Sequence, residues 1–124
     1  NNLELLGHVE FSKLGEIYRS ADIFVMPSYY ETFGISVIEA MAHKLPIIAC
    51  SAGSLPDLVE SNFNGILIPT ADSSALAEAM LRLLNDPVLI EVYGKNSLAK
   101  LAHRYDSDKV ANKYIEYCEN ILAD

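Results

Sequence analysis

Two cysteines, no tryptophan and only nine lysines and arginines stand in this 124-residue sequence, and these scarcities narrow what the chain can be. Nine basic residues against seventeen acidic ones leave a formal net charge of -8 with no basic cluster, so no nucleic-acid partner is expected. Cys50 and Cys118 lie far apart and neither stands at metal-ligand spacing, while Cys50 closes an apolar run and reads as a small buried residue. A reduced, cytoplasmic protein is the expectation. No stretch approaches the ~20 uninterrupted apolar residues that a bilayer span needs, and no secretory signal opens the chain. His8, His43 and His103 have no carboxylate or cysteine partner at ligand spacing, which leaves surface or helix-end roles. Six glycines form no phosphate loop of the dinucleotide or P-loop type. Ser36 sits in Gly34-Ile35-Ser36-Val37-Ile38, which lacks the second glycine of a nucleophile elbow.

Apolar residues are plentiful instead, at 51%, enough for one packed α/β unit over residues 1–124. Leu3 to Val9 reads as a short strand, and Ser12 to Ser20 as a helix with Ser12 as N-cap and Leu14, Ile17 and Tyr18 facing inward. Ile23 to Met26 and Pro46 to Cys50 are continuous apolar runs, as in strands buried on both faces of a parallel sheet. Gly34 to His43 reads as a helix, and Gly53 to Asp57 as a loop leading into a short helical turn ending near Ser61. Asn64-Gly65 signals a turn before the strand Ile66 to Ile68. Asp72 or Ser73 caps a helix through Leu84 with Leu76, Ala77, Met80, Leu81 and Leu84 at helical spacing. Asp86-Pro87 breaks it and starts the next helix. A last helix from Asp106-Ser107 sets Val110, Tyr114, Tyr117 and Ile121 on one stripe, which reads as core packing. Strands alternating with helices imply a Rossmann-like parallel sheet with helices on both faces and a helical C-terminus. Ligands of such sheets sit at the carboxyl ends of the strands.

The most informative segment lies at one of those ends. In Tyr30-Glu31-Thr32-Phe33-Gly34-Ile35-Ser36-Val37-Ile38-Glu39-Ala40-Met41, two carboxylates flank a glycine turn that opens an apolar helix. A helix start offers unpaired N–H groups and a positive dipole end, which suits an anion, and the glycine allows close approach to the backbone. The carboxylates suit hydroxyl groups, so the pattern points to a ligand carrying both phosphate and sugar. Glu39 stands among small and apolar neighbours, where an unpaired buried charge would cost several kcal/mol, on the order of desolvation values. It is therefore expected to face either water or a ligand. Taken singly, Glu39 could be a solvated helix residue and Glu31 a helix-start acid satisfying the dipole.

Gly7-His8-Val9, Leu14 to Tyr18, Ser20-Ala21-Asp22-Ile23-Phe24-Val25-Met26-Pro27-Ser28, Glu31-Thr32-Phe33-Gly34, Glu39-Ala40-Met41-Ala42, Pro46-Ile47-Ile48-Ala49, Pro56-Asp57 and Asn64-Gly65-Ile66-Leu67-Ile68 follow one another in order. This series resembles the C-terminal, donor-binding part of retaining GT-B glycosyltransferases, and within them glycosyltransferase family four. The resemblance implies a partial C-terminal domain of a GT-B fold and transfer of a sugar from a nucleoside diphosphate sugar to a hydroxyl acceptor. The donor is a substrate, and no metal or other cofactor is implied. That family carries two glutamates separated by seven residues, as Glu31 and Glu39 are here. By resemblance Glu31 is the catalytic-site residue beside the donor sugar, and Glu39 accepts from the ribose hydroxyls. The N–H groups of Phe33, Gly34, Ile35 and Ser36 hold sugar hydroxyls and the diphosphate, and the backbone at Val9 meets the base. Front-side attack without a protein nucleophile is the implied chemistry, in a parent enzyme that is cytoplasmic or peripheral at the inner membrane face.

Three positions depart from the family pattern. Lys44 replaces a usual glycine, which implies an ordinary helix-end backbone there. Ser54 replaces the second glycine of its loop, narrowing the backbone approach, and Asp57 replaces a common glutamate. The resemblance also implies an acceptor half and two strands with a basic pair that this sequence does not contain, hence a segment of a longer enzyme that alone is inactive. Without those strands, Leu3 to Val9 either pairs differently or an open sheet edge recruits another chain. Two other readings are a non-catalytic binding or scaffold module, which has no physical reason to keep the glutamate pair, and a sugar-nucleotide epimerase, which lacks this pairing and spacing.

Overall fold

The computed structural model describes residues 2–104, 108, 109, 111, 112 and 115. Three parallel strands, β1 (Phe24–Met26), β2 (Ile47–Cys50) and β3 (Gly65–Ile68), pair in that order. Phe24 stands opposite Ile47 and Ile47 opposite Gly65, with Val25–Ile48–Ile66 and Met26–Ala49–Leu67 in the next rows. Side chains of a strand alternate between faces, so the rows sort into two cores. Ile47, Ala49, Phe24, Met26 and Leu67 pack with α2 (Ile35–Ala42) and α3 (Leu55–Leu58), and α1 (Phe11–Ser20) adds Tyr18. Ile48, Cys50, Ile68, Val25 and Ile66 pack on the other face with α4 (Ser73–Leu84) and α5 (Pro87–Arg104). All four residues of β2 are buried, which explains why this strand reads as an unbroken apolar run. Cys50 is buried within it.

Proline and cap residues set the boundaries. Asp72 is the N-cap of α4, its Oδ1 accepting from the Ala75 N–H at 2.9 Å. Asp86 does the same for the Leu89 N–H at 3.0 Å with Pro87 opening α5. Asn64 is fully buried: Oδ1 accepts from the Glu60 N–H (2.8 Å) and Nδ2 donates to the Leu58 carbonyl (3.1 Å), fastening the turn between α3 and β3.

The structure corrects several expectations. Leu3 to Val9 forms no strand; Leu5 is 87% exposed and Asn2 to Val9 makes no hydrogen bond among the described residues. A strand is held by its ladder, and no partner reaches this segment, while the outer edge of β1 is unpaired among the described residues. α1 starts at Phe11, with Glu10 at its N-cap, so Ser12 lies inside the helix and caps nothing. α4 buries Ala79 and Leu83; of the expected stripe Leu76 packs against the core, while Ala77, Met80, Leu81 and Leu84 are exposed, the last two at 58% and 56%. The helix has apolar residues on more than one face, and packing on β3 selected the narrower one. Lys44 has φ 60, the left-handed backbone that a helix-ending glycine adopts, in place of the ordinary conformation expected. Its carbonyl sits where a Cβ on Gly94 would be, so α5 docks on this turn through a glycine. The stripe of Val110, Tyr114, Tyr117 and Ile121 lies outside the described residues, as does Cys118.

Candidate functional site

The chain leaving β1 runs through Pro27 to Phe33 and turns at Gly34 into α2, at the carboxyl end of the sheet. Gly34 has φ 83 and ψ 44, a left-handed conformation at which a side chain would be strained. A Cβ there would also overlap Leu58 Cδ1. Both requirements come from the fold itself, so Gly34 is needed whether or not a ligand approaches.

Glu31 folds back over this turn. Its Oε1 accepts from the N–H groups of Thr32 (3.0 Å), Phe33 (3.3 Å) and Gly34 (3.2 Å). Two of the N–H groups expected to meet a ligand, those of Phe33 and Gly34, thus converge on a carboxylate of the same chain. Those of Ile35 and Ser36 open the helix, where the first turn has no intrahelical acceptor. Phe33 and Ile35 project outward while Ser36 is half-buried. The backbone of Glu31 is clasped from the other side: its carbonyl accepts from the Ser54 N–H (2.9 Å) and the Ser54 hydroxyl (3.3 Å). Gly53, at φ 55, packs so closely on Glu31 that a Cβ would overlap that carbonyl. Ser54 has an ordinary right-handed backbone, so its departure from glycine narrows nothing and adds a donor.

Glu39 lies one turn further along α2 and is half-buried. One of its two oxygens is engaged within the protein: the Tyr18 hydroxyl donates to its Oε2 at 2.8 Å. Burial first, and the bond to Glu39 second, push the Tyr18 phenol up to about 12, so it stays protonated at neutral pH. His43 stacks on the Tyr18 ring at 5.1 Å and its Nδ1 is 2.8 Å from the Glu39 carbonyl, a helix-end role. Among the described residues no hydrogen bond ends on Glu39 Oε1. Val9 is half-buried in the irregular segment before α1 and no hydrogen bond ties it to Glu31 or Glu39. Glu31, Phe33, Gly34, Ile35, Ser36 and Glu39 are therefore brought together on one turn and helix, and Val9 is not linked to them.

Sequence reasoning placed Tyr18 on the inner face of α1 and gave it no role. The available signal was chemical: a phenol on an inward face needs a partner for its hydroxyl. Ser54 was read only as a substitution. A separate cleft of about 270 Å³ opens at the same end of the sheet between Pro27, Tyr29, Cys50, Pro69 and Leu76, and none of the expected site residues lines it. Among the described residues no three His, Cys, Asp or Glu side chains gather as metal ligands, and no helix is long and apolar enough to cross a membrane.

The family model for glycosyl transferases group 1 matches residues 1–86, which carry the whole of this turn and helix. The chain belongs to that family. One relative, the D-inositol 3-phosphate glycosyltransferase of Streptomyces bingchenggensis, is 40% identical over 99 residues, covering 80% of this chain and 22% of its own length. Sucrose-phosphate synthase from Thermosynechococcus elongatus superposes with a TM-score of 0.86 at 34% identity, covering 95% of this chain and 30% of that one. Anabaena HepE, solved in complex with UDP and glucose, gives 0.87 at 25% identity over 97% of this chain and 32% of that one. The chain thus spans about a third or less of this relative and of these solved structures, and its fold is the GT-B type.

Proposed function

We propose that this chain is the donor-binding part of a retaining glycosyltransferase that moves a sugar from a nucleoside diphosphate sugar to a hydroxyl acceptor. The observation that carries the reading is the pair Glu31 and Glu39 bracketing an N–H-lined helix start at the carboxyl end of β1, in a group 1 chain. Each part has a chemical use. The N–H groups of Ile35 and Ser36 and the positive end of α2 stabilise diphosphate charge. Glu31 offers acceptors to sugar hydroxyls and borders the reacting face, and Glu39 takes the ribose hydroxyls in charge-assisted bonds. In the transfer the bond from the anomeric carbon to the diphosphate oxygen breaks. The acceptor oxygen bonds to that carbon from the same face, and the acceptor proton passes to the leaving diphosphate. HepE, with UDP and glucose bound, supports a donor of this class.

The acceptor half lies outside this chain in the proposal, so the chain alone lacks turnover and needs no metal. The open edge of β1 takes strands from the parent chain or from a second copy. The parent acts in the cytoplasm or at the inner membrane face.

The test is ligand-induced stabilisation of the full-length enzyme by UDP, GDP, ADP and their glucose and mannose conjugates, repeated with Glu39→Ala. A ligand at a hundred times its dissociation constant stabilises by about 2.7 kcal/mol. One nucleotide series is expected to shift the wild type and not the variant. No shift with any series refutes the reading.

A further inference from the structure

We propose that Tyr18 is a positioning residue for the nucleotide site, holding one oxygen of Glu39 so that the other is presented to the ribose hydroxyls; this rests on the donor-binding reading above. Glu39 has three rotatable side-chain bonds, and an unrestrained glutamate on a helix must be ordered when it binds. Here the order exists beforehand. The Tyr18 hydroxyl reaches Oε2 at 2.8 Å, against 3.4 Å to the Ser36 carbonyl, so its single proton belongs to the carboxylate. The phenol is itself fixed from two sides, by His43 stacked at 5.1 Å and by Phe24 of β1 at 6.0 Å. His43 also grips the Glu39 backbone through Nδ1, so side chain and main chain of Glu39 are held by one stacked pair.

Only one carboxylate oxygen is used in this way, and no hydrogen bond of the described residues ends on Oε1. Oε1 is thus left available on the second turn of α2. A carboxylate with one oxygen anchored and one open has a fixed direction, and a pair of neighbouring hydroxyls is a ligand that can use it. Preorganisation of this kind raises affinity by removing the ordering cost at the moment of binding. Tyr18 thereby becomes a determinant of ribose recognition from a helix that touches no ligand.

The experiment measures affinity of the full-length enzyme for UDP, GDP and ADP and for the 2′,3′-dideoxy counterpart of each, in wild type, Tyr18→Phe and Glu39→Gln. Phenylalanine keeps the ring contacts with His43 and Phe24, and a thermal melt checks that it folds. Tyr18→Phe is expected to weaken the bound ribonucleotide by roughly twofold to tenfold, the cost of ordering one glutamate side chain at the moment of binding, and to leave the dideoxy form unchanged. Equal weakening of both forms, or of neither, overturns the positioning role. If Glu39→Gln selectively loses the ribonucleotide while Tyr18→Phe does not, the donor-binding reading stands and this inference falls. If the wild type binds none of the three, or does not distinguish ribose from dideoxyribose, both fall.

Discussion

Lys44→Gly should stabilise this protein, against the usual rule that glycine weakens a helix end it did not evolve for. Lys44 has φ 60, and a residue with a Cβ in that region costs about 1–2 kcal/mol. Glycine removes that cost but enlarges the freedom of the unfolded chain, which returns about 0.4–1 kcal/mol. The side chain of Lys44 is exposed and makes no ion pair among the described residues, so little else is lost. The net gain is roughly 0.5–1 kcal/mol, which at a urea slope of about 2 kcal/mol/M moves the midpoint up by about 0.4 M. Lys44→Ala separates the two contributions, since alanine removes the same side chain and keeps the left-handed strain; its midpoint should stay near wild type. Equilibrium urea unfolding followed by circular dichroism reads both. A Lys44→Gly midpoint at or below wild type with an unchanged slope refutes the argument, and a stabilised Lys44→Ala shows that the side chain, not the backbone, carried the strain.

Gly94→Ala tests the same contact from the other side. Alanine in a helix normally gains about 1 kcal/mol over glycine; here its Cβ meets the Lys44 carbonyl, and a loss of about 2–3 kcal/mol is expected in the same unfolding assay. Glu31→Ala removes the acceptor of three N–H groups and should lower ligand-free stability by about 1 kcal/mol, with Glu31→Gln losing less because its amide oxygen can still accept. Leu83→Ala empties a fully buried position between α4 and the sheet, and a loss of about 2–5 kcal/mol is expected by denaturant titration. Because Tyr18 is pushed up to about 12 from an unfolded value near 10, its contribution to stability is fully present below pH 10 and is lost as pH rises through 12. The urea midpoint of the wild type should therefore fall more steeply than that of Tyr18→Phe above pH 10, and parallel slopes would refute the raised Tyr18 phenol.

The sequence by itself determined the pieces whose causes are local. The apolar runs closed by Pro27 and Pro69, the caps at Asp72 and Asp86-Pro87 and the glycine turn at Gly34 are short-range consequences of sterics and backbone hydrogen bonding. They sufficed for three parallel strands with helices on both faces, and the family rested on the resemblance of the ordered motifs, the Glu31–Glu39 spacing among them. Only the tertiary structure decided what depends on partners distant in sequence. Tyr18 lies 21 residues from Glu39, and Ser54 lies 23 from Glu31, and no local pattern announces either bond. Lys44 takes a left-handed turn that glycine usually occupies, and Gly94 of α5 docks against its carbonyl. α4 turns Ala79 and Leu83 into the cluster with Ile48, Ile68 and Tyr93, although Leu81 and Leu84 are as apolar. Leu3 to Val9 has the composition of a strand and lacks a neighbour to pair with, and a strand is a property of the pair.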